Sequence, residues 1–283
     1  MNSKFFKIGE IVLELKSERV IADSAMFKPF KTDPQKADEI IEITEKSPLE
    51  IQGRLVDSYS NKEVYEHNGK KYLFSFYPEF DNRKIYYACS ECENNLTALT
   101  VDYEKNIFDS MLFDSFNFPG LLVRNNCFLF HCSFILVNGK AVLFSGDSGK
   151  GKSTQADLWN RYRNAEIING DRAILKLKDG KLYAYGTPYC GSSKISVNKS
   201  AEVAAIIFPE HSDVNSIKKV NSSFEAIPMI VRQMTVETSE DTLKALSFSG
   251  ELFKDVPVFK LQCIPDLTAV ETVANELINL GIL

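Results

Sequence analysis

The run Cys127–Val137 (CFLFHCSFILV) is apolar except at His131 and Ser133, and it is bounded by Arg124, Asn125 and Asn126 before it and by Asn138-Gly139 after it. It is too short to cross a bilayer as a helix, which takes ~20 residues, and it reads as a buried strand. Asn-Gly is the favoured two-residue hairpin turn, so the next run, KAVLFSG (140–146), folds back on the first. Val137 then pairs with Lys140 and opposed positions sum to 277, which sets His131 opposite Gly146.

From residue 116 onward, strand-like and helix-like patterns alternate. Strands are expected near 166–170, 174–177, 182–185, 203–208 and 257–262, and helices near 153–163, 223–233 and 240–253. A last helix starts after Pro265 with Asp266 as its N-cap. Strands alternating with helices predict an α/β class with a mixed sheet. Residues 1–115 differ: short strand-type runs at 7–15, 71–76 and 84–88 are separated by turn clusters such as His67-Asn68-Gly69, with one helix expected over 33–43. Two regions follow, a β-rich one at 1–115, a scaffold or acceptor-binding region, and an α/β domain at 116–283.

Composition narrows the function. Of 283 residues, 44% are apolar and 25% charged, which gives enough apolar side chain for a substantial core. The net charge of −5 offers no basic field for a nucleic-acid backbone, so no nucleic-acid partner is expected. The N-terminus alternates charged and apolar residues and contains no signal-type apolar segment, which predicts a cytoplasmic protein with no membrane partner. Cys89 and Cys92 form a CxxC pair without the second pair that a structural zinc site requires.

The chemistry concentrates at 146–153, Gly-Asp-Ser-Gly-Lys-Gly-Lys-Ser, followed by Thr154. This is a complete G-x-x-x-x-G-K-[ST] string between a strand and a helix, the context in which backbone N–H groups and a helix N-terminus cradle phosphates. Gly146, Asp147, Ser148, Gly149, Lys150 and Gly151 form the loop. Lys152 is expected on the β and γ phosphates of a nucleoside triphosphate, Ser153 on Mg2+, and Thr154 beside them. Lys150 is a further cation at the loop tip. The run 166–170 ends at Asp171, which a right-handed crossover places parallel and close to the loop strand, at the same edge. Asp171 is therefore a candidate for holding Mg2+ or taking a proton from an acceptor. A second hairpin turning at Asp179-Gly180, whose paired positions sum to 359, brings 186–193 to that rim, with Lys194 and Lys199 just beyond.

The string HCSFILVNGKAVLFSGDSGKGKST, followed by IINGDR, resembles the HPr kinase/phosphorylase family, whose fold relatives are the phosphoenolpyruvate carboxykinases. The resemblance spans about 130–173. It implies an HPr-kinase-like P-loop fold, ATP and Mg2+ as cofactors, and an oligomeric serine kinase. By the same resemblance His131 would be the active-site histidine, Lys152 and Ser153 the nucleotide and Mg2+ residues, and Asp171 an acidic catalytic residue. The family carries paired acids where this chain has Gly170-Asp171, so its assignment of the general base is not carried over; its E-x-R-G-x-G signature has no counterpart here, so neither the phosphorylase reaction nor HPr as substrate is carried over. The resulting expectation is a kinase acting on a hydroxyl acceptor, most simply a serine in a peptide, protein or free amino acid. A nucleotide-binding sensor without transfer activity, or an acceptor-independent NTPase, would use the same loop.

Overall fold

The structure is a computed structural model that describes residues 1–45, 50–59, 62–76, 85–92, 96–101, 109, 113 and 116–283. The chain divides into two compact units, Met1–Phe118 and Pro119–Leu283. Among the described residues it is a mixed α/β protein with two mixed sheets, and no helix is long and apolar enough to cross a membrane.

In the first unit, eight strands run β1 (Asn2–Ile8), β2 (Ile11–Ser17), β3 (Glu39–Glu45), β4 (Arg54–Tyr59), β5 (Lys62–His67), β6 (Lys70–Phe76), β7 (Ile85–Cys92) and β8 (Leu96–Val101). Their order in one sheet is β1-β2-β3-β8-β7-β6-β5-β4. Two expectations change here. The strand expected over 7–15 is two strands, because Gly9 and Glu10 both take left-handed φ (60° and 73°) and close a hairpin with Ile8 opposite Ile11. The helix expected over 33–43 is β3 from Glu39 onward: β-branched Ile40, Ile41 and Ile43 fit a pleated surface, and burial alternates along the strand. Of the run expected over 84–88, Lys84 lies outside the described residues, as does the Cys92 side chain, whereas Cys89 is buried.

The helix α1 (Phe118–Arg124) leads to β9 (Cys127–Val137) and β10 (Lys140–Ser145), with turn residues Asn138 and Gly139 at φ 50° and 78°. The sum of 277 holds from Lys140↔Val137 to Ser145↔Cys132. Then come α2 (Lys152–Arg163), β11 (Glu166–Asn169), β12 (Arg172–Lys178), β13 (Lys181–Tyr185), β14 (Ser200–His211), β15 (Ser216–Lys219), α3 (Ser223–Val231), β16 (Met234–Thr235), α4 (Ser239–Asp255), β17 (Val258–Cys263) and α5 (Leu267–Asn279). Asp266 caps α5 by accepting from Thr268 N and Ala269 N.

The sheet order is β10-β9-β12-β13-β14-β17-β15, and β14 also pairs in parallel with β10. Residues alternate between its two faces. Val142 and Phe144 of β10 pack with Trp159 of α2 and Val270 and Val273 of α5, all buried. Ala141 and Leu143 join the opposite core with Ile230 of α3 and with Phe248 and Leu252 of α4. Each face therefore carries a helix pair, and the loop after β10 is anchored in both cores. Truncating a side chain as buried as Phe144 would cost about 3–5 kcal/mol.

Candidate active site

The site is built outward from the β9–β10 hairpin. Ser145 Oγ donates to the carbonyl of His131 at 2.8 Å, so the pairing persists to the last residue of β10 and leaves His131 beside the loop that follows. In that loop Gly149 and Gly151 take φ of 81° and 95°, which residues with a β-carbon rarely adopt. Gly151 is the N-cap of α2 and no side chain caps the helix, so its first-turn N–H groups keep their partial positive charge for a ligand. Lys152 turns back beneath the loop, only 7% exposed, and its Nζ donates to the carbonyls of Gly146 (2.8 Å) and Asp147 (3.0 Å). Two of its three N–H donors thus hold the loop and one remains. Burial pulls its pKa below the ordinary lysine value, against the opposing pull of Asp171. Ser148, Lys150, Ser153 and Thr154 are exposed along the loop and first helical turn. At the loop tip, the imidazole Nε2–H of His211 donates to the carbonyl of Gly149 at 2.9 Å.

The acid is set by a buried amide. Asn169 is fully buried; its Nδ2 donates to the Thr187 carbonyl (2.8 Å), and its Oδ1 accepts from the backbone N–H of Asp171 (2.8 Å) and Arg172 (2.9 Å). That turn projects the Asp171 carboxylate. Arg172 Nε donates to its Oδ2 at 3.2 Å, while His131 Nε2 lies 3.9 Å from its Oδ1. The Arg172 guanidinium also lies 6.0 Å from the centre of the Tyr189 ring. The strand leading to Asp171, β11, runs in the same direction as β10, but β9 lies between them and pairs with both. This is why Asp171 faces His131: β12 continues along β9 with Arg172 opposite His131.

The second hairpin keeps its sum of 359, from Lys178↔Lys181 to Ile174↔Tyr185. The segment that follows packs on the acid. A β-carbon added at Gly191 would lie 2.9 Å from Asp171 Cβ and Cγ, and one added at Gly170 would lie 2.5 Å from Ser193 Cβ and Oγ. Lys194, exposed at φ 56°, ends this turn. Lys199 does not reach the rim. Its ammonium pairs with Glu166 at 2.7 Å, at the far end of β11 from Asp171, because the chain before β14 runs antiparallel to β11, with Ser196 opposite Asn169 and the Val197 N–H donating to the Ile168 carbonyl.

His131 is half-buried. Its Nδ1 lies 3.3 Å from Gln233 Oε1, and Gln233 Nε2 donates to Asp147 Oδ1 at 3.1 Å. Arg232 pairs with the other Asp147 oxygen at 3.1 Å. Burial, and then the nearby Lys152 cation, push the His131 pKa below its usual value, while Asp171 and the Gln233 hydrogen bond pull it up. His131, Lys152 and Asp171 are therefore close enough to feel one another's charge.

Four participants were not singled out from the sequence: Asn169, His211, Arg232 and Gln233. Asn169 carries a readable signal, since Asn two residues before a turn commonly accepts from the backbone ahead of it. His211 ends a strand parallel to β10, at the sheet edge where α/β proteins bind ligands.

The Ser153 hydroxyl and the Asp171 carboxylate are hard oxygen donors of the kind Mg2+ takes alongside phosphate oxygens and water, so this donor set fits that ion. No three His, Cys, Asp or Glu side chains gather as a metal site among the described residues.

No family model matches the chain, and no curated protein matches it. Among solved structures, the Hpr(Ser) kinase/phosphatase from Coxiella burnetii aligns with 54% of this chain and 92% of its own, at 15% identity and a TM-score of 0.34. It is a weak structural neighbour and carries no site assignment.

Proposed function

We propose that the protein is a Mg2+- and ATP-dependent phosphotransferase of HPr-kinase-like fold, moving the γ-phosphoryl group to a hydroxyl acceptor, most simply a serine in a peptide, a protein or a free amino acid. One observation carries this reading: a single hairpin and the turn after β11 gather the uncapped N-terminus of α2, the buried Lys152, His131 and Asp171 at one sheet edge. MgATP, when bound, supplies the transferable phosphoryl group and the divalent charge. The N–H groups at the start of α2 and the remaining donor of Lys152 bind phosphate oxygens. Ser153 would hold the ion directly and Asp171 through a water. Arg172 fixes one oxygen of Asp171 and leaves Oδ1 to take the proton of the acceptor hydroxyl, with His131 orienting the acid or the acceptor.

Gly170 favours keeping a second reading, a nucleotide-binding sensor without transfer. A second carboxylate beside Asp171 has no room while Ser193 lies where its β-carbon would go. The test is ADP release from MgATP by the wild type and Lys152→Ala, first without acceptor and then with small-molecule and macromolecular fractions of host extract. A fraction that stimulates release and takes up the γ-phosphate establishes the kinase and contains its substrate. ATP binding without transfer to either fraction establishes the sensor, and acceptor-independent hydrolysis an NTPase.

A further inference from the structure

We propose that Gln233 is a positioning residue that locks His131 as its Nδ1–H tautomer and ties that ring to Asp147 of the glycine-rich loop. Donor and acceptor chemistry alone fixes the arrangement. The Asp147 carboxylate, already paired with Arg232, only accepts, so the Gln233 group 3.1 Å from its Oδ1 is the NH2. The carbonyl end of the same amide then faces His131 Nδ1 at 3.3 Å, and because that oxygen also only accepts, Nδ1 carries the hydrogen. In a neutral ring Nε2 therefore bears the lone pair, on the side where Asp171 Oδ1 lies 3.9 Å away.

Gln233 is itself held by the sheet. The His131 backbone N–H donates to the Gln233 carbonyl at 2.8 Å, and the next residue, Met234, pairs with Phe130 as β16. Only 7% of Gln233 is exposed, so solvent does not compete freely for its amide. Two acceptors, Nε2 and Oδ1, thus lie side by side with no proton to share. A hydroxyl that approaches the pair finds a lone pair on each atom, whereas the opposite tautomer would present it with a competing N–H donor. The kinetic consequence rests on the phosphotransfer reading; the tautomer does not.

The experiment is 15N NMR of the imidazoles in the full chain, without nucleotide, at a pH where His131 is neutral. The protein has three histidines, so His131→Asn assigns the signal. The wild type should show a pyrrole-type Nδ1 and a pyridine-type Nε2 at His131. Gln233→Met should shift the ring to the Nε2–H form, whereas Gln233→Glu, which still offers Nδ1–H an oxygen, should retain the wild-type tautomer. In turnover, Gln233→Met should lower kcat about tenfold or more while the KM for MgATP stays within about threefold. A pyridine-type Nδ1 in the wild type, or a tautomer indifferent to Gln233→Met, overturns the proposal. Should Gln233→Met fail to fold, the wild-type spectrum and Gln233→Glu still decide it. A wild type with the Nδ1–H tautomer and no transfer to any acceptor rejects the kinase reading while sustaining this one.

Discussion

Gly191 lies against Asp171 so closely that a methyl group at residue 191 would sit 2.9 Å from the carboxylate carbon. The turn over 191–193 is thus packed directly against the acid. Gly191 also takes φ 53°, so Gly191→Ala adds backbone strain to the clash. It should cost about 1–3 kcal/mol in urea unfolding and reduce turnover by displacing Asp171. Unchanged stability and turnover would show that the turn yields.

Gly170 and Ser193 interlock in the same way, and the crowded atoms belong to the Ser193 side chain alone. Gly170→Ala should destabilise by about 1–3 kcal/mol, and adding Ser193→Gly should recover most of that loss. The double-mutant cycle measures the coupling, and strictly additive effects would argue against the contact.

Lys152→Ala leaves the Gly146 and Asp147 carbonyls without their shared donor and removes the cation expected on the phosphates. We expect a loss of about 1–3 kcal/mol without nucleotide and no further thermal shift on adding MgATP. A retained MgATP-dependent shift would place the nucleotide elsewhere.

Asp171→Asn keeps the turn set by Asn169 and the partner of Arg172 while removing the negative charge. ATP binding should persist and transfer should fall by about 10²–10⁴. Near-normal turnover would move the base to another group.

For His131 the sign of the pH effect follows from its depressed pKa. As pH falls below 6.5, the ordinary value, the unfolded chain takes up a proton that the folded imidazole resists, because burial and Lys152 oppose the charge. Stability contributed by the neutral ring is therefore lost from about pH 6.5 downward, until the folded imidazole protonates as well. In urea unfolding followed from pH 6.5 downward, His131→Asn should flatten this slope; an identical slope in the variant would assign it to other groups.

Much of this site was legible because hairpin turns fix registers. Asn138-Gly139 and Asp179-Gly180 placed His131 against the end of β10 and brought the segment after β13 to the rim. Local strings also located the loop and its helix. What the sequence concealed lies in contacts between distant residues: Gln233 meets His131 across 102 positions, and His211 meets Gly149 across 62. No local pattern encodes them. Lys199 misled for a related reason, since its nearness in sequence to the rim says nothing of Glu166, 33 residues away, which holds it. In the first unit a helix was expected over 33–43, but pairing of β3 with β2 and β8 rewarded the β-branched residues instead.

The turn at Asn138-Gly139 also determines which sequence changes the protein can tolerate. Substitution there alters only a local φ preference, on the order of 1 kcal/mol. Insertion of a single residue is a different kind of change, because the strand period is two and a one-residue slip would exchange the two faces of β10. Val142 and Phe144 would trade cores with Ala141 and Leu143, and the loop would begin one position away from His131. The length of this turn, more than its composition, is therefore what should stay constant as the sequence drifts.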